Sequence, residues 1–201
     1  MIYPLLLLFA LGPPVFSFES DGKKVEGYIV SPAPPAKALV LYFHRSIENR
    51  EAVKEWARLL GSHGYAVAGY TATPTSDLVA QAGRAVRSLR SGKELRQIPF
   101  LFMGASLGTR VAAQLFAAET QARALVLIVP GSKEICGLLK SEKRPIFLIQ
   151  AEKDEIVSHS ETIYRCLSST SKHLLLKSTG HRFPPSQVSA QIVEWLDSIF
   201  K

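Results

Sequence analysis

A serine between two glycines follows a short apolar segment of the chain. The residues Gly104-Ala105-Ser106-Leu107-Gly108 come after the apolar stretch 100–103, and a helical pattern begins at residue 107. A Gly-x-Ser-x-Gly turn between a strand and a helix presents the serine hydroxyl on a sharp bend that only small neighbours allow. The amide of Leu107, at the start of the helix, is placed to donate to a developing oxyanion. The pattern therefore predicts Ser106 as a nucleophile.

A serine hydroxyl needs a general base, and one histidine is well placed to be that base. His181 follows Gly180 in a loop after the predicted strand 173–176, and Arg182, Phe183 and Pro184 continue the loop. Because the carboxyl ends of parallel strands share one edge of a sheet, His181 and Ser106 are expected at the same edge. We therefore predict His181 as the base.

The base needs a carboxylate that holds its tautomer and stabilises its charged form. The loop after the predicted strand 146–150 carries Asp154, with Glu152 and Glu155 as alternatives on the same loop. We predict Asp154. The resulting order of serine, acid and histidine along the chain is the one that α/β-hydrolases use, and it differs from the orders in two other triad families.

The elements around these residues alternate between strand and helix. An Asp21-Gly22 pair between two β-like segments predicts a hairpin, and six strand–helix pairs follow it. The predicted strands cover 18–20, 24–30, 38–43, 65–70, 100–103, 124–129, 146–150 and 173–176, and the predicted helices cover 49–62, 76–90, 107–118, 132–139, 158–167 and 185–200. Such alternation predicts a mostly parallel sheet with helices on both faces.

Over residues 18–200 the chain resembles the α/β-hydrolases, close to the branch of dienelactone hydrolases and serine esterases. The matching pieces are residues 20–32, residues 39–44, the turn around Ser106, Asp154 with Val157, and Gly180-His181. The resemblance implies a three-layer fold with a mostly parallel, twisted sheet of about eight strands, and it favours Asp154 over its acidic neighbours. Dienelactone hydrolases carry a cysteine nucleophile, whereas this chain has Ser106. Residues 130–145 leave room for one short helix, so no cap domain is expected.

One position departs from that family. The family has His-Gly after the third strand, and the amides that follow complete the oxyanion hole; this chain has His44-Arg45-Ser46. The resemblance assigns the second oxyanion donor to the backbone of Ser46. For Arg45 two interpretations stay open: its side chain binds an anionic substrate, or it points outward and leaves the loop unchanged.

Composition and charge exclude several other function classes. The chain has 201 residues and a formal net charge of +7, but its basic residues lie in separate groups at 23–24, 84–96 and 140–144. No aromatic residue lies within 84–96, so a nucleic-acid partner is not expected. Five histidines and two cysteines show no metal-ligand spacing, and the chemistry of the triad needs neither a metal nor a cofactor. The residues carry no signal of oligomeric state.

The first residues have the layout of an export signal. Residues 1–18 carry no charged side chain, residues 5–11 are strongly apolar, and Pro13-Pro14 ends the apolar segment. We predict a signal peptide over residues 1–17 and one hydrolase domain over 18–201. The mature protein is then periplasmic or secreted, with no stable membrane insertion; without a genuine signal it is cytoplasmic or membrane-anchored. In an oxidising compartment Cys136 and Cys166 could pair.

These observations predict a serine hydrolase of carboxylesterase type, acting on an ester, or on a thioester or amide. Ser106 forms the acyl-enzyme, His181 is the base, Asp154 orients it, and the amides of Leu107 and Ser46 form the oxyanion hole. The expected substrate is a small-molecule ester or an ester on an exposed polymer. Two alternatives stay open: an acyltransferase with the same triad, and a non-catalytic binding protein on a hydrolase fold.

Overall fold

One eight-stranded sheet forms the centre of the molecule. The structure, a computed structural model, describes residues 15–32, 35–45, 49–73, 77–168 and 171–201. The strands lie in the order β1-β2-β4-β3-β5-β6-β7-β8. The first two strands pair antiparallel with each other, β2 pairs antiparallel with β4, and the six strands from β3 to β8 are parallel. The predicted mostly parallel sheet of about eight strands is confirmed.

The strands are β1 (Val15–Ser20), β2 (Lys23–Val30), β3 (Ala38–Phe43), β4 (Tyr65–Tyr70), β5 (Phe100–Ala105), β6 (Leu125–Ile128), β7 (Ile146–Ala151) and β8 (Lys172–Leu176). The helices are α1 (Ala52–Gly61), α2 (Leu78–Ser91), α3 (Lys93–Gln97), α4 (Gly108–Ala118), α5 (Ile135–Leu139), α6 (Val157–Cys166) and α7 (Ser189–Ile199). A 3₁₀ turn over Pro185–Gln187 precedes α7.

The central strands are apolar throughout because helices cover both faces of the sheet. Side chains alternate along β3, so Leu39 and Leu41 enter the core beneath α2 and α4, whereas Val40 and Tyr42 enter the core beneath α1 and α7. All six residues of β3 are buried. Continuous apolar segments of this kind are typical of parallel sheets with two covered faces.

The two ends of the chain differ in detail from the prediction. The hairpin turns at Asp21 and Gly22, both with positive φ, as predicted. Strand β1 begins at Val15, earlier than predicted, and its register pairs residues 15–17 with residues 26–28. The remainder of the predicted export signal, residues 1–14, lies outside the described residues. Near the other end, the predicted helix 185–200 is divided into the 3₁₀ turn and α7.

The segment between β6 and β7 contains only α5, so the fold has no cap domain there. Cys136 in α5 and Cys166 at the end of α6 form a disulfide with their Cα atoms 5.8 Å apart. Within the ranges given above, no helix has the length and apolar character that a membrane span requires.

Candidate active site

Ser106 occupies the tight turn between β5 and α4. Its φ is +50°, in the left-handed region that few residues other than glycine adopt. Its amide donates to the carbonyl oxygen of Ile128 in the neighbouring strand at 2.9 Å. Its own carbonyl oxygen accepts hydrogen bonds from the Gly131 amide at 3.2 Å and the Thr109 amide at 3.1 Å. These bonds hold a strained backbone conformation at a position where strain commonly accompanies function.

Both glycines of the turn are required by close backbone contacts. A Cβ atom on Gly104 would collide with the carbonyl oxygen of Gly108, and a Cβ atom on Gly108 would collide with the carbonyl oxygen of Phe43. Helix α4 therefore begins directly against the ends of β3 and β5. This close packing of the helix against the strand ends places Ser106 at the carboxyl edge of the sheet, as predicted from the sequence.

The structure brings Ser106, His181 and Asp154 into one hydrogen-bonded chain. The Nε2 atom of His181 lies 2.8 Å from Ser106 Oγ, and its Nδ1 atom lies 2.8 Å from Asp154 Oδ2. The Asp154 side chain is only 2% exposed, and its other oxygen accepts a 3.0 Å bond from the Ile156 amide. With Nδ1–H donating to the carboxylate, Nε2 is free to accept the hydroxyl proton. The arrangement has the geometry of a nucleophile, a base and an orienting acid.

The two alternative acids lie elsewhere. Glu152 accepts hydrogen bonds from the Ser178 amide at 2.8 Å and from Lys177 Nζ at 3.2 Å. The hydrogen bond from the Ser178 amide lowers the pKa of Glu152 most, and the hydrogen bond from Lys177 lowers it further. Glu155 is exposed. Asp154 is thus the acid of this loop that contacts His181, and Glu152 instead joins the β7 loop to the turn after β8.

One of the two predicted oxyanion donors, Leu107, lies within the described residues. Leu107 precedes the first residue of α4, and its amide has no acceptor among the described residues. That amide therefore remains available to a substrate oxygen beside Ser106 Oγ. Ser46 lies outside the described residues, so its predicted role stays a prediction.

Arg45 neither points outward nor lies open to solvent. It is 9% exposed, its Nη1 atom donates to the carbonyl oxygen of His181 at 3.0 Å, and its guanidinium lies 5.5 Å from the centre of the Phe183 ring. It also lines a small cavity of about 40 Å³ with Tyr42 and Trp56. The interpretation that Arg45 simply points outward is wrong, because the loop after β8 covers its side chain. Its burial leaves little of the guanidinium for a substrate.

One further residue, Thr109, supports the turn and was not singled out from the sequence. Thr109 is fully buried, and its Oγ1 donates to the carbonyl oxygen of Ser106 at 2.5 Å. A polar residue directly after Gly-x-Ser-x-Gly, on a helix that packs against the sheet, was the available signal for Thr109. Its hydrogen-bond partner becomes evident only in three dimensions.

No group of three or more His, Cys, Asp or Glu side chains within the described ranges is arranged to hold a metal ion. Among the described residues, the polar groups identified at the site are those of the hydrogen-bonded chain and the Leu107 amide.

The fold and its topology match several solved structures. A dienelactone hydrolase from Anabaena variabilis superposes with a TM-score of 0.82 and 19% identity, covering 94% of this chain and 98% of that one. The esterase domain of a Rhodothermus marinus protein superposes with a TM-score of 0.77 and 17% identity, covering 92% of this chain and 96% of that one. A cold-adapted esterase from an Arctic intertidal metagenomic library superposes with a TM-score of 0.76 and 20% identity, covering 93% of each chain.

Comparisons based on sequence find no such match: no protein-family model and no curated protein matches the chain. The structural similarity at these low identities is one of fold. The chain has the α/β-hydrolase fold, and dienelactone hydrolase and esterase structures are among its structural neighbours.

Proposed function

We propose that this protein is a serine hydrolase that cleaves carboxylic esters through an acyl-enzyme on Ser106. The observation that carries the proposal is the continuous hydrogen-bonded chain from Ser106 through His181 to Asp154, with both links at 2.8 Å. A hydroxyl, an imidazole and a buried carboxylate in this order are what acyl transfer by serine requires.

The first half of the reaction forms the acyl-enzyme. His181 Nε2 takes the proton from Ser106 as Oγ bonds to the acyl carbon, and the carbonyl electron pair moves onto the oxygen. The amide of Leu107 donates to that oxyanion. When the tetrahedral intermediate collapses, the bond to the leaving oxygen breaks, and the His181 imidazolium gives its proton to the departing alkoxide. Asp154 stabilises the imidazolium throughout, because its carboxylate accepts from Nδ1.

The second half repeats these steps with water. The oxygen of a water molecule attacks the acyl carbon while His181 removes a proton from that water. The Leu107 amide again donates to the oxyanion. Collapse breaks the bond to Ser106 Oγ, which recovers its proton from His181. The carboxylic acid leaves, and the residues return to their starting protonation states. A thioester or an amide would follow the same sequence with a different leaving group.

The lack of a cap between β6 and β7 supports a small ester or an ester on an exposed polymer as the substrate. We also propose export, which the Cys136–Cys166 disulfide supports, because such bonds persist in oxidising compartments.

The test is covalent labelling with a fluorophosphonate, in which Ser106 Oγ attacks phosphorus and fluoride leaves. We expect the wild type and the control Ser158→Ala, which removes an exposed serine of α6, to be labelled and to hydrolyse 4-nitrophenyl acetate. Ser106→Ala should do neither while retaining the wild-type circular dichroism spectrum.

Other results would change the proposal. Full labelling of Ser106→Ala would remove Ser106 as the nucleophile. A folded wild type that neither reacts with the probe nor hydrolyses any ester of a panel would favour a non-catalytic binding protein. Transfer of the acyl group to an added alcohol or amine in preference to water would favour an acyltransferase.

A further inference from the structure

A long groove runs between α2 and α4. Its volume is about 770 Å³, and Leu107, the residue after Ser106, lines one end. Residues of α4 line it as far as Ala118. At 1.5 Å per helical residue, the distance from Leu107 to Ala118 is about 16 Å. The groove could therefore hold an extended substituent on a substrate whose carbonyl lies at Ser106.

The floor of the groove is apolar. Val111 and Leu115 of α4 and Leu78 and Val79 of α2 line it, and all four belong to the core beneath these helices or pack against it. At the end nearest Ser106, Leu107 is 46% exposed and adds apolar surface to the floor. An apolar chain laid along this floor would cover Leu107.

The sides of the groove carry charges of both signs, with three arginines and two carboxylates. Arg84 and Arg87 line it from α2 and Arg110 lines it from α4, against the carboxylates of Asp77 and Glu119. Asp77 caps α2, its Oδ1 accepting from the Ala80 amide at 2.8 Å, so its charge is partly engaged within the protein.

The three arginines are not equally available. Arg84 donates to Ser20 Oγ at 2.8 Å and lies 3.6 Å from Asp21. Arg87 and Arg110 are exposed, and neither has a carboxylate partner among the described residues. Both guanidiniums can thus meet an anion that reaches them from the groove.

We propose that this groove binds the apolar, anionic part of the substrate, such as an alkyl chain that carries a carboxylate. The alkyl chain lies on the floor beside Leu107, and the carboxylate pairs with Arg87 and Arg110. This inference deepens the proposed function and rests on it, because the scissile carbonyl must lie at Ser106.

The binding test does not depend on turnover. The probe is dansyl-labelled undecanoic acid, titrated into Ser106→Ala, with its methyl ester as the uncharged control. We expect the acid to bind more tightly than the ester and the difference to shrink with added salt. The double variant Arg87→Gln/Arg110→Gln should raise the Kd of the acid by about three- to tenfold and leave that of the ester unchanged.

Two further variants make the result specific to this groove. Arg58→Gln removes an exposed arginine from α1, on the other face of the sheet, and should not change the Kd. Gly83→Leu places a side chain in the groove and should weaken both the acid and the ester. A Cβ atom at Gly83 meets the Arg87 guanidinium at 3.5 Å and Leu115 at 3.9 Å, both ordinary van der Waals distances, so the helix accommodates a Cβ at this position.

Kinetics separate this inference from the proposed function. A 4-nitrophenyl monoester of a long dicarboxylic acid should have a lower KM than the neutral ester of equal length, and the arginine double variant should abolish the difference. Hydrolysis of neutral esters without any preference for the acid, in binding or in KM, would overturn the groove proposal alone. Tight, arginine-dependent binding without hydrolysis would instead overturn the proposed function.

Discussion

Arg45 Nη1 donates a 3.0 Å hydrogen bond to the backbone carbonyl oxygen of His181, across 136 residues of sequence. The bond joins the loop after β3 to the loop that carries the candidate base. The guanidinium also lies 5.5 Å from the centre of the Phe183 ring, which gives a second contact with the same loop. We infer that Arg45 is a positioning residue, which sets where the His181 imidazole lies relative to Ser106.

Arg45→Ala should lower kcat by about ten- to a hundredfold, because the loop that positions the His181 imidazole loses a hydrogen bond. KM should change little, because the substitution removes no contact with the substrate. Arg45→Lys should retain part of the rate, since an ammonium can still donate to the carbonyl. The measurements are kcat and KM on a neutral ester, with a pH profile of kcat/KM to report on His181. Arg58→Ala is the control. A loss confined to the KM of anionic esters would mean that Arg45 binds substrate instead.

Asp154→Asn should lower kcat by about 10² to 10⁴, because a neutral amide neither stabilises the imidazolium nor favours the required tautomer. Glu152→Gln and Glu155→Gln are matched controls on the same loop and should retain most activity. Thermal unfolding of all three variants checks that the fold survives. If Glu155→Gln proved the damaging change, the assignment of the acid would be wrong.

Thr109→Val should lower both stability and rate. The fully buried Oγ1 of Thr109 donates to the Ser106 carbonyl oxygen, and valine removes that donor while nearly preserving shape. We expect a loss of about 1–3 kcal/mol in the free energy of unfolding and a several-fold lower kcat. Thr109→Ser keeps the hydroxyl and should retain more of the rate than Thr109→Val, although it loses a methyl group. Equal rates in the two variants would contradict a role for the hydroxyl.

The end of α4 is held by an ion pair whose strength depends on pH. Arg144 donates to the carbonyl oxygens of Phe116 and Glu119, and Glu142 accepts from the same guanidinium. The hydrogen bond from Arg144 lowers the pKa of Glu142 to about 2. A depressed carboxyl pKa contributes stability above the unfolded-state value of 4.5, and that stability is lost as pH falls toward 2.

Glu142→Gln should therefore reduce the free energy of unfolding by about 1–3 kcal/mol at pH 7, and by progressively less as the pH falls below 4.5. Urea unfolding of the wild type and the variant across this range measures the difference. Glu161→Gln, on an exposed face of α6, is the control and should change little. A difference that stayed constant down to pH 3 would contradict the linkage.

The disulfide between Cys136 and Cys166 joins α5 to α6 over a separation of 30 residues. Closing a loop of this size restricts the unfolded chain, so the double variant Cys136→Ser/Cys166→Ser should lose about 2–4 kcal/mol of stability. Intact mass with and without reductant, after alkylation, reports whether the bond forms. Two alkylated thiols without reductant in protein from an oxidising compartment would contradict the pairing.

The repeating strand–helix pattern and its apolar strands were sufficient to predict the fold class. Strands buried on both faces need continuous apolar segments, and helices need periodic ones, so local sequence carries both signals. Helix α3 was missed because Lys93–Gln97 has no buried residue and hence no apolar periodicity. Strand β1 was predicted too short because its first residues could be read equally well as the end of an export signal.

The sequence by itself determined that Ser106, Asp154 and His181 follow three parallel strands, and therefore share one edge of the sheet. Only the tertiary structure decided which contacts the loops and helices form around that edge. The Arg45 contact with His181, the disulfide and the groove between α2 and α4 each join residues that are distant along the chain. No local spacing encodes such contacts, because they arise where separate loops and helices pack, and their geometry depends on every element between them.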